Sequence, residues 1–468
     1  MSRLIVISNR VNPPAEAGQG SAGGLAMALA AALRESSGVW FGWSGETTET
    51  FTGQLSVRRI GGVTVALIDL EEQDRQEYYN GYANKTLWPL FHYRMDLAAY
   101  ERSFSAGYER VNERFAETVL PLIEPDDVIW VQDYHLLMLA RELRKRGVKN
   151  RIGFFLHIPW PARRVFTTLP GHAELAEALF HYDLIGFQTE DHREAFTDYA
   201  LHAAGGTARE DGIVEAFGRT VRVGAFPIGI DTPEFVASVE GDQARTYFTR
   251  MRDSLAGRRM ILGVDRLDYS KGLEERFLAY EQFLADNPDQ HEQLFLLQIA
   301  TSTRGEVEAY QDIRAKLDTV SGRINGEYAT VDWVPIRYVN RPYRRDELAG
   351  VYRAAHIGLV TPLRDGMNLV AKEYVAAQDP KDPGVLILSE FAGAAEQMQE
   401  ALIVNPFSRE DVAEAIKRGL AMPREERVRR WESLMHGVTT QDVAAWRDSF
   451  VSALTGSPAE SRRLHSVG

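Results

Sequence analysis

The sequence contains no cysteine among its 468 residues. This absence excludes disulfide bonds, thiolate metal sites and cysteine nucleophiles, and it is consistent with a reducing compartment. Long apolar runs are absent as well. The apolar run at 4–7 is too short for the core of a signal peptide, and no later run approaches the length of a membrane span. We therefore expect a soluble, cytoplasmic protein without a membrane partner.

Positive charge is also in deficit. The chain has 53 Lys and Arg residues against 66 Asp and Glu residues, a formal net charge of −13, which argues against a nucleic-acid partner. Spacings typical of metal ligands are lacking, since there is no D-x-D pair and the histidines are scattered without H-x-x-x-H spacing. We therefore predict no metal and no other cofactor.

The composition is that of a globular protein, with 44% apolar and 25% charged residues. A chain of 468 residues exceeds what one hydrophobic core usually supports, so we expect at least two domains. Short apolar runs alternate with longer helical patterns, which is typical of a parallel sheet covered by helices on both faces. These runs lie at 4–8, 128–132, 151–157, 184–188, 259–265, 294–300, 356–360 and 385–389.

So many units indicate two doubly wound α/β sheets rather than one. Pro227 and Gly229 interrupt the periodicity, so we place a boundary near 226–231. In open parallel sheets, ligands bind at the carboxyl ends of the strands. Polar residues suited to chemistry follow the predicted strands in both halves, which suggests that the two sheets face each other across one cleft. They are Asn9, Arg10, Asp133, His135, His157, Arg266, Arg304 and Asp365.

The most informative segment is VTPLRDGMNLVAKEYVAAQ at 360–378. It reads as an apolar strand, a tight Asp365-Gly366 turn and a helix from Leu369, so several unpaired backbone N–H groups would point at one spot beside the positive end of the helix dipole. Such a spot can hold anionic or hydroxyl-rich groups, and Glu373 is placed to reach a polyol such as a ribose. An ordinary strand-to-helix loop with a surface glutamate explains this segment equally well.

Other motifs carry a weaker signal. Gly23 and Gly24 open a helix after a strand, so they allow either close approach of a phosphate or merely a tight return of the chain. Arg266 and Lys271 share one loop before a helix, where a guanidinium and an ammonium suit a diphosphate. Cations are unfavourable at a helix N-terminus unless an anion joins them, which weakens the alternative of two solvated basic residues.

An aromatic segment, EYYNGYANKTLWPLFHYR, includes Tyr79, Trp88 and His92. Aromatic faces beside amide and hydroxyl groups commonly stack on sugars, but a hydrophobic core loop has a similar composition. His157 ends a strand before Pro159, where it can donate to a substrate or be a satisfied core histidine.

Together these segments resemble one family. SNR with a later GGL, YYN with LWPLFHY, VQDYHL, HIPWP, GFQT, FPIGID, DRLDYSKG, QIATSTR and TPLRDGMNLVAKEYVAAQ occur in this order in the trehalose-6-phosphate synthases, retaining glycosyltransferases of family 20. The resemblance extends from residue 3 to about 450. It implies the GT-B fold of two facing Rossmann-like domains, with an acceptor-binding domain over 1–230, a nucleotide-sugar-binding domain over 231–440, and a C-terminal helix at 441–455 that returns to the first domain.

The same resemblance implies transfer of glucose from a nucleotide-glucose to glucose 6-phosphate, with retention and without a metal. The implied acceptor-binding residues are Arg10, Tyr79, Trp88, Asp133 and Arg304, the two arginines holding the phosphate. The implied donor-binding residues are Gly23, Gly24, Arg266, Lys271, Tyr343, Asp365, Gly366, Met367, Asn368, Leu369, Val370 and Glu373. The implied catalytic residues are Asp133, His157, Arg266, Lys271 and Asp365. Trp160 stands where many members carry Phe, a departure that keeps an aromatic ring.

Several points stay open on the sequence alone. UDP-glucose is the favoured donor, but GDP- and ADP-glucose remain alternatives because contacts to the base are largely made by backbone. The acceptor could instead be glycerol 3-phosphate or an aminocyclitol phosphate. A sugar-nucleotide epimerase needs acid–base carboxylates and no second phosphate clamp, and a silent sensor should have lost Arg266, Lys271 or Asp365. A homo-oligomer, either a dimer or a tetramer, is expected from the family.

Overall fold

The structure, a computed structural model, describes residues 3–11, 29, 33, 38–60, 62–302 and 308–456. The first half of the chain forms a ten-stranded sheet in the order β3-β4-β2-β1-β5-β6-β7-β10-β9-β8. Seven neighbouring strands, from β4 to β10 in this order, are parallel, and antiparallel pairs close both edges. Its strands are β1 Leu4–Arg10, β2 Val39–Thr48, β3 Ser56–Ile60, β4 Val63–Glu71, β5 Val128–Gln132, β6 Arg151–Phe155, β7 Leu184–Phe187, β8 Thr207–Ala208, β9 Ile213–Ala216 and β10 Arg219–Ala225.

The second half forms a six-stranded, fully parallel sheet in the order β13-β12-β11-β14-β15-β16. Its central strands are buried along nearly their whole length, as expected for a sheet covered on both faces. The strands are β11 Arg259–Arg266, β12 Leu294–Thr301, β13 Ile336–Val339, β14 Ile357–Val360, β15 Val385–Ser389 and β16 Leu402–Val404.

Helices cover both sheets, and one segment, Arg75–Leu87, is a π-helix. The α-helices of the described residues are α1 Glu72–Asp74, α2 Trp88–Phe91, α3 Arg102–Val119, α4 Leu139–Lys145, α5 Arg163–Phe166, α6 His172–Leu179, α7 Glu190–His202, α8 Thr232–Val239, α9 Asp242–Leu255, α10 Leu273–Asp286, α11 Glu308–Tyr328, α12 Arg345–Ala354, α13 Leu369–Ala377, α14 Arg409–Ala421, α15 Arg424–Thr440 and α16 Val443–Thr455. Short 3₁₀ turns occupy Met95–Leu97, Leu120–Leu122, Tyr134–Leu136, Tyr269–Lys271, Pro288–Gln290 and Gly393–Glu396.

The last helix, α16, packs against the first sheet. Phe450 stacks on Trp130 of β5 with ring centroids 4.7 Å apart. Gly153 of β6 and Gly186 of β7 leave room for the Phe450 ring, since a Cβ at either glycine would lie within 2.8 Å of it. The proposed limits of the two domains, and the assignment of 441–455 to the first, remain predictions.

The prediction of an α/β protein with two largely parallel sheets is confirmed. All eight predicted strands form, each ending within two residues of its predicted bounds. Sequence reasoning missed eight strands, of which four, β3, β8, β13 and β16, are the edge strands of the two sheets and four, β2, β4, β9 and β10, are interior. The exposed residues of β3 and β13 break the continuous apolar pattern there.

Candidate active site

The turn before α13 has the strand–turn–helix geometry that the sequence predicts. The backbone of Asp365 is tied to the segment after β15, because its N–H donates to Phe391 at 3.0 Å and its carbonyl accepts from Gly393 at 3.1 Å. Asn368 has a positive φ of 84° and caps the helix, its side-chain oxygen accepting from the N–H of Ala371 at 3.3 Å. The N-terminus of α13 is thereby fixed at the carboxyl edge of the second sheet.

Lys271 and Asp365 meet at this edge. The Lys271 Nζ lies 2.5 Å from the Asp365 Oδ2, and both side chains are largely buried. Burial raises the pKa of Asp365, but the charge and the hydrogen bond of Lys271, together with the charge of Arg266, outweigh it, so the pKa is lowered and the carboxyl stays ionised. Asn368 also donates to Asp365 Oδ2 at 3.1 Å. An ionised carboxylate therefore orients the ammonium beside the helix N-terminus.

A buried arginine that sequence reasoning missed supports this loop. Arg276, from α10, donates to Asp265 at 2.5 Å and to Thr361 Oγ1 at 3.0 Å. Its second nitrogen reaches the carbonyl of Lys271 at 3.4 Å. A single side chain thus links the β11 loop to the β14 loop. An arginine within an ordinary helical pattern carries no sequence signal for this role.

The first domain contributes an aromatic wall on the other side. The guanidinium of Arg266 lies over the Trp88 ring, 5.2 Å from its centroid, and His92 packs against the same ring at 4.2 Å. The His92 Nδ1 bonds the Trp88 carbonyl at 2.7 Å. Burial lowers the pKa of His92 to about 4, so the ring is neutral, although Asp268 and Asp365 oppose this shift. Residues from the two sheets therefore share one site.

A row of rings connects Trp88 with the end of β1. Tyr79 stacks on His135 at 5.9 Å and meets Trp43 edge-on at 5.6 Å. The Arg10 guanidinium lies 4.8 Å from the Trp43 ring and donates to the Gly45 carbonyl at 3.2 Å. Trp43, which sequence reasoning missed, lies in a continuous buried run of β2 that carries no sequence signal for a ligand role.

Asp133 and His157 come together at the ends of β5 and β6. Asp133, with a positive φ of 69°, accepts from the N–H of His157 at 3.1 Å. The amide nitrogen of Gln188 lies 3.4 Å from the His157 Nδ1. An amide nitrogen can only donate, so the proton of the neutral ring sits on Nε2, which faces Gln132 Oε1 at 2.8 Å. Burial lowers the pKa of His157 to about 3, which keeps it neutral.

Gln132 is a third residue that sequence reasoning missed. It ends β5 and is almost fully buried, and within the described part of the chain its side-chain nitrogen has no hydrogen-bond partner. A buried donor without a partner is costly, so this nitrogen is suited to a ligand oxygen beside His157.

The two domains touch directly at Gly366. A Cβ built there would lie 1.9 Å from the His157 carbonyl oxygen, so no larger residue fits. Two further contacts cross the cleft: the Arg364 guanidinium lies 3.9 Å from the Tyr93 ring, and the Arg94 guanidinium lies 5.5 Å from the Tyr269 ring. The Asp365-Gly366 turn is therefore pressed against the first domain.

Glu373 is largely covered rather than open, with 13% of its side chain exposed. It accepts from Arg345 at 3.1 Å and from the hydroxyl of Tyr352 at 3.4 Å, and burial raises its pKa despite the charge of Arg345. Tyr343 lies farther along, with its ring 6.2 Å from Tyr247 and 4.8 Å from the Arg341 guanidinium. The other residues predicted to bind the donor here, Met367, Leu369 and Val370, lie in the turn and first helical turn described above.

Three predicted site residues, Gly23, Gly24 and Arg304, lie outside the described residues. Within the described ranges, no group of three His, Asp or Glu side chains is arranged to hold a metal ion. The described helices also include none that combines the length and apolar character needed to cross a membrane.

Two α/β domains with largely parallel sheets, their strand ends sharing one crevice, define the GT-B class of glycosyltransferases. The sequence profile of glycosyltransferase family 20 matches residues 3–456, and the chain belongs to this family.

Relatives agree over nearly the full length. A trehalose-6-phosphate synthase of Enterobacter sp. (strain 638) is 49% identical over 454 residues, which cover 97% of this chain and 95% of the relative. A UDP-forming alpha,alpha-trehalose-phosphate synthase from Burkholderia xenovorans, solved with glucose-6-phosphate, is 50% identical with a TM-score of 0.92 and covers 97% of this chain and 100% of that chain. A structure from E. coli bound with UDP-2-fluoro glucose is 48% identical, with a TM-score of 0.93 and coverage of 97% and 99%.

Proposed function

We propose that this chain transfers glucose from UDP-glucose to glucose 6-phosphate, giving alpha,alpha-trehalose 6-phosphate and UDP with retention at the anomeric carbon. The observation that carries the proposal is the meeting of Lys271, Asp365 and Arg266 of one domain with the Trp88 ring of the other. Relatives of nearly identical length carry this activity in their names, and two structural neighbours hold glucose-6-phosphate and a UDP-sugar analogue.

The second domain would bind the donor. Arg266 and Lys271, with Gly23 and Gly24, would hold the diphosphate, and the backbone from Asp365 to Val370 would hold the glucose and its phosphate. The ionised Asp365 supports this role because it keeps the Lys271 ammonium in place. Glu373 would bind the ribose hydroxyls, which requires that its bonds to Arg345 and Tyr352 leave an oxygen available. Tyr343 would lie beside the base.

The first domain would bind the acceptor. Arg10 would hold the phosphate together with Arg304, and the row from Trp43 to Trp88 would present Tyr79, Trp88 and Asp133 to the sugar. The partial stacking of Arg10 on Trp43 supports this role, since it holds a cation at one end of an aromatic surface.

The reaction would proceed on one face of the donor sugar. The bond between the anomeric carbon and the diphosphate oxygen breaks, the acceptor hydroxyl oxygen bonds to the same face of that carbon, and its proton passes to the departing phosphate oxygen. Arg266 and Lys271 would stabilise the negative charge on the leaving group, an effect worth about 3 kcal/mol per preorganised donor. A neutral His157 supports this scheme, because a neutral ring is a poor acid; to bind the 6-hydroxyl of the donor glucose, it would exchange its hydrogen bond with Gln132 or Gln188 for one to the sugar. The scheme needs neither a metal nor a cofactor.

The test is an assay of purified protein with UDP-, GDP- or ADP-glucose and glucose 6-phosphate, with a chelator present. The expected product is trehalose 6-phosphate, whose two α linkages are read by NMR, with UDP-glucose turned over fastest. Glycerol 3-phosphate and an aminocyclitol phosphate serve as the competing acceptors. Faster transfer to either of these would overturn the assignment of the acceptor. A cytoplasmic location and a homo-oligomeric state remain predictions.

A further inference from the structure

A buried lysine beside the donor-binding turn has no place in the reaction described above. Lys372, in α13, is 2% exposed, and its Nζ donates to the Ile228 carbonyl and to Gln397 Oε1, each at 2.7 Å. Among the described residues, no carboxylate lies within ion-pair distance of this ammonium. Burying a cation against neutral acceptors alone is costly, which favours a role other than stability. Burial accordingly lowers the pKa of Lys372 to about 7.

The acceptor of Lys372 lies in the segment that joins the two domains. Ile228 belongs to FPIGID at 226–231, between β10 and α8. The same residue is held from the first domain, because its N–H donates to Gln188 Oε1 at 3.0 Å. Gln188 of the first domain and Lys372 of the second thus both form hydrogen bonds to the backbone of Ile228.

The chain of hydrogen bonds continues at both ends. On the first-domain side, Gln188 donates to the Nδ1 of His157. On the other side, Gln397 donates to the side chain of Gln441, which lies in the second crossover between the domains. The two crossovers are packed tightly, since a Cβ at Gly229 would lie 2.2 Å from the Gln441 carbonyl oxygen. One polar chain therefore runs from His157, through the linker, to the helix that carries Glu373.

We propose that Lys372 is a positioning residue, which clamps the Ile228 peptide to α13 and thereby sets His157 of the first domain in register with the donor-binding turn of the second. The inference rests on the proposed function, since it assigns a role within that reaction. A loosened clamp separates the groups that hold the donor glucose and admits water, so that water competes with the acceptor for the anomeric carbon.

The test compares Lys372→Met with Gln378→Met as a matched control. Gln378 caps the same helix and is equally buried in donating to Tyr352 and Tyr374, but it does not contact the linker. Lys372→Met should lower kcat for transfer at least tenfold, change the KM for UDP-glucose less than threefold, and raise the fraction of UDP-glucose lost to hydrolysis at least threefold. Gln378→Met should lower Tm while leaving these three quantities within twofold of wild type.

Lys372→Gln keeps a donor without the charge and guards against a misfolded methionine variant. It should fall between wild type and Lys372→Met in the hydrolysed fraction. Wild-type kinetics in both folded Lys372 variants, with only Tm reduced, would overturn the positioning role.

Hydrogen exchange separates this inference from the activity itself. Amides at 226–231 should exchange faster in Lys372→Met than in Gln378→Met, whatever reaction the protein catalyses. If these amides exchange faster in Lys372→Met but the wild-type protein transfers no glucose to glucose 6-phosphate, the proposed function alone is refuted. Equal exchange in the two variants would refute the clamp alone.

Discussion

At the scale of single residues, the ammonium of Lys271 is the group that the proposed function ties most directly to the chemistry. Lys271→Met removes its charge beside Asp365 and should lower kcat/KM about 10²- to 10³-fold, as for the loss of one preorganised donor to a developing anion. Lys316→Met is the control, because Lys316 forms an exposed ion pair with Glu274 and should alter kcat/KM less than twofold. Steady-state kinetics measures both variants. A similar loss of kcat/KM in the two would contradict this role.

Buried neutral histidines should make the protein sensitive to acid. The pKa of His192 falls from 6.5 to about 3, chiefly through burial. Between these values the unfolded chain binds a proton that the folded chain does not, so the free energy of unfolding should fall as the pH drops below 6.5. One such proton contributes about 1.4 kcal/mol per pH unit.

His192→Leu isolates this effect, because the carboxylates that titrate in the same range are common to both proteins. The free energy of unfolding should be measured with urea at pH 6.5, 5.5 and 4.5. It should change less steeply with pH in the variant than in wild type, by about the contribution of one bound proton. Equal slopes would show that His192 takes up its proton in the folded state.

The sequence predicted the positions of those residues whose surroundings are set by their neighbours in the chain. Lys271 and Asp365 lie on short loops after strands, and parallel topology alone brings such loops together. Arg276, Trp43 and Gln132 were missed because their partners are distant in the chain, so nothing within a local window distinguishes them from ordinary helix or strand residues. The burial of Glu373 under Arg345 was likewise unpredictable, since it depends on how α12 packs against α13.

At the scale of elements, the π-helix Arg75–Leu87 and the following α2 deliver Trp88 to the cleft. Trp88→Leu removes the aromatic face proposed to bind the acceptor sugar, so the KM for glucose 6-phosphate should rise about tenfold, or about 1.4 kcal/mol. The KM for UDP-glucose should change much less.

Trp333→Leu is the matched control for the loss of a buried indole. Trp333 is 2% exposed and donates to the Leu294 carbonyl at the far end of the second sheet. Its loss should lower Tm at least as much as Trp88→Leu and leave both KM values unchanged. Parallel changes in the two KM values of Trp88→Leu would instead indicate a general disturbance of the cleft.

Strands and helices were the part of the fold most accessible to sequence reasoning. Continuous apolar runs predicted eight strands because burial on both faces demands them. The π-helix escaped prediction, since the sequence of the segment is that of an aromatic-rich loop. Its close packing on α3, where a Cβ at Gly81 would collide with Phe104, involves residues distant in the chain.

At the scale of the whole molecule, contact between the domains depends on Gly366. A methyl group there would collide with the His157 carbonyl, so Gly366→Ala should hold the domains apart and reduce kcat at least tenfold. Small-angle scattering with UDP and glucose 6-phosphate present should give a larger radius of gyration than for wild type. Gly322→Ala, whose added methyl meets only open space in α11, should match wild type. Full activity of Gly366→Ala would show that this contact is dispensable.

The most direct measurement for the account as a whole is a crystal structure with UDP and glucose 6-phosphate bound together. We predict that both occupy the same interdomain cleft, with the diphosphate beside Arg266 and Lys271 and the sugar phosphate beside Arg10. Ligands bound on separate outer faces, or a sugar phosphate remote from Trp88 and Arg10, would contradict it.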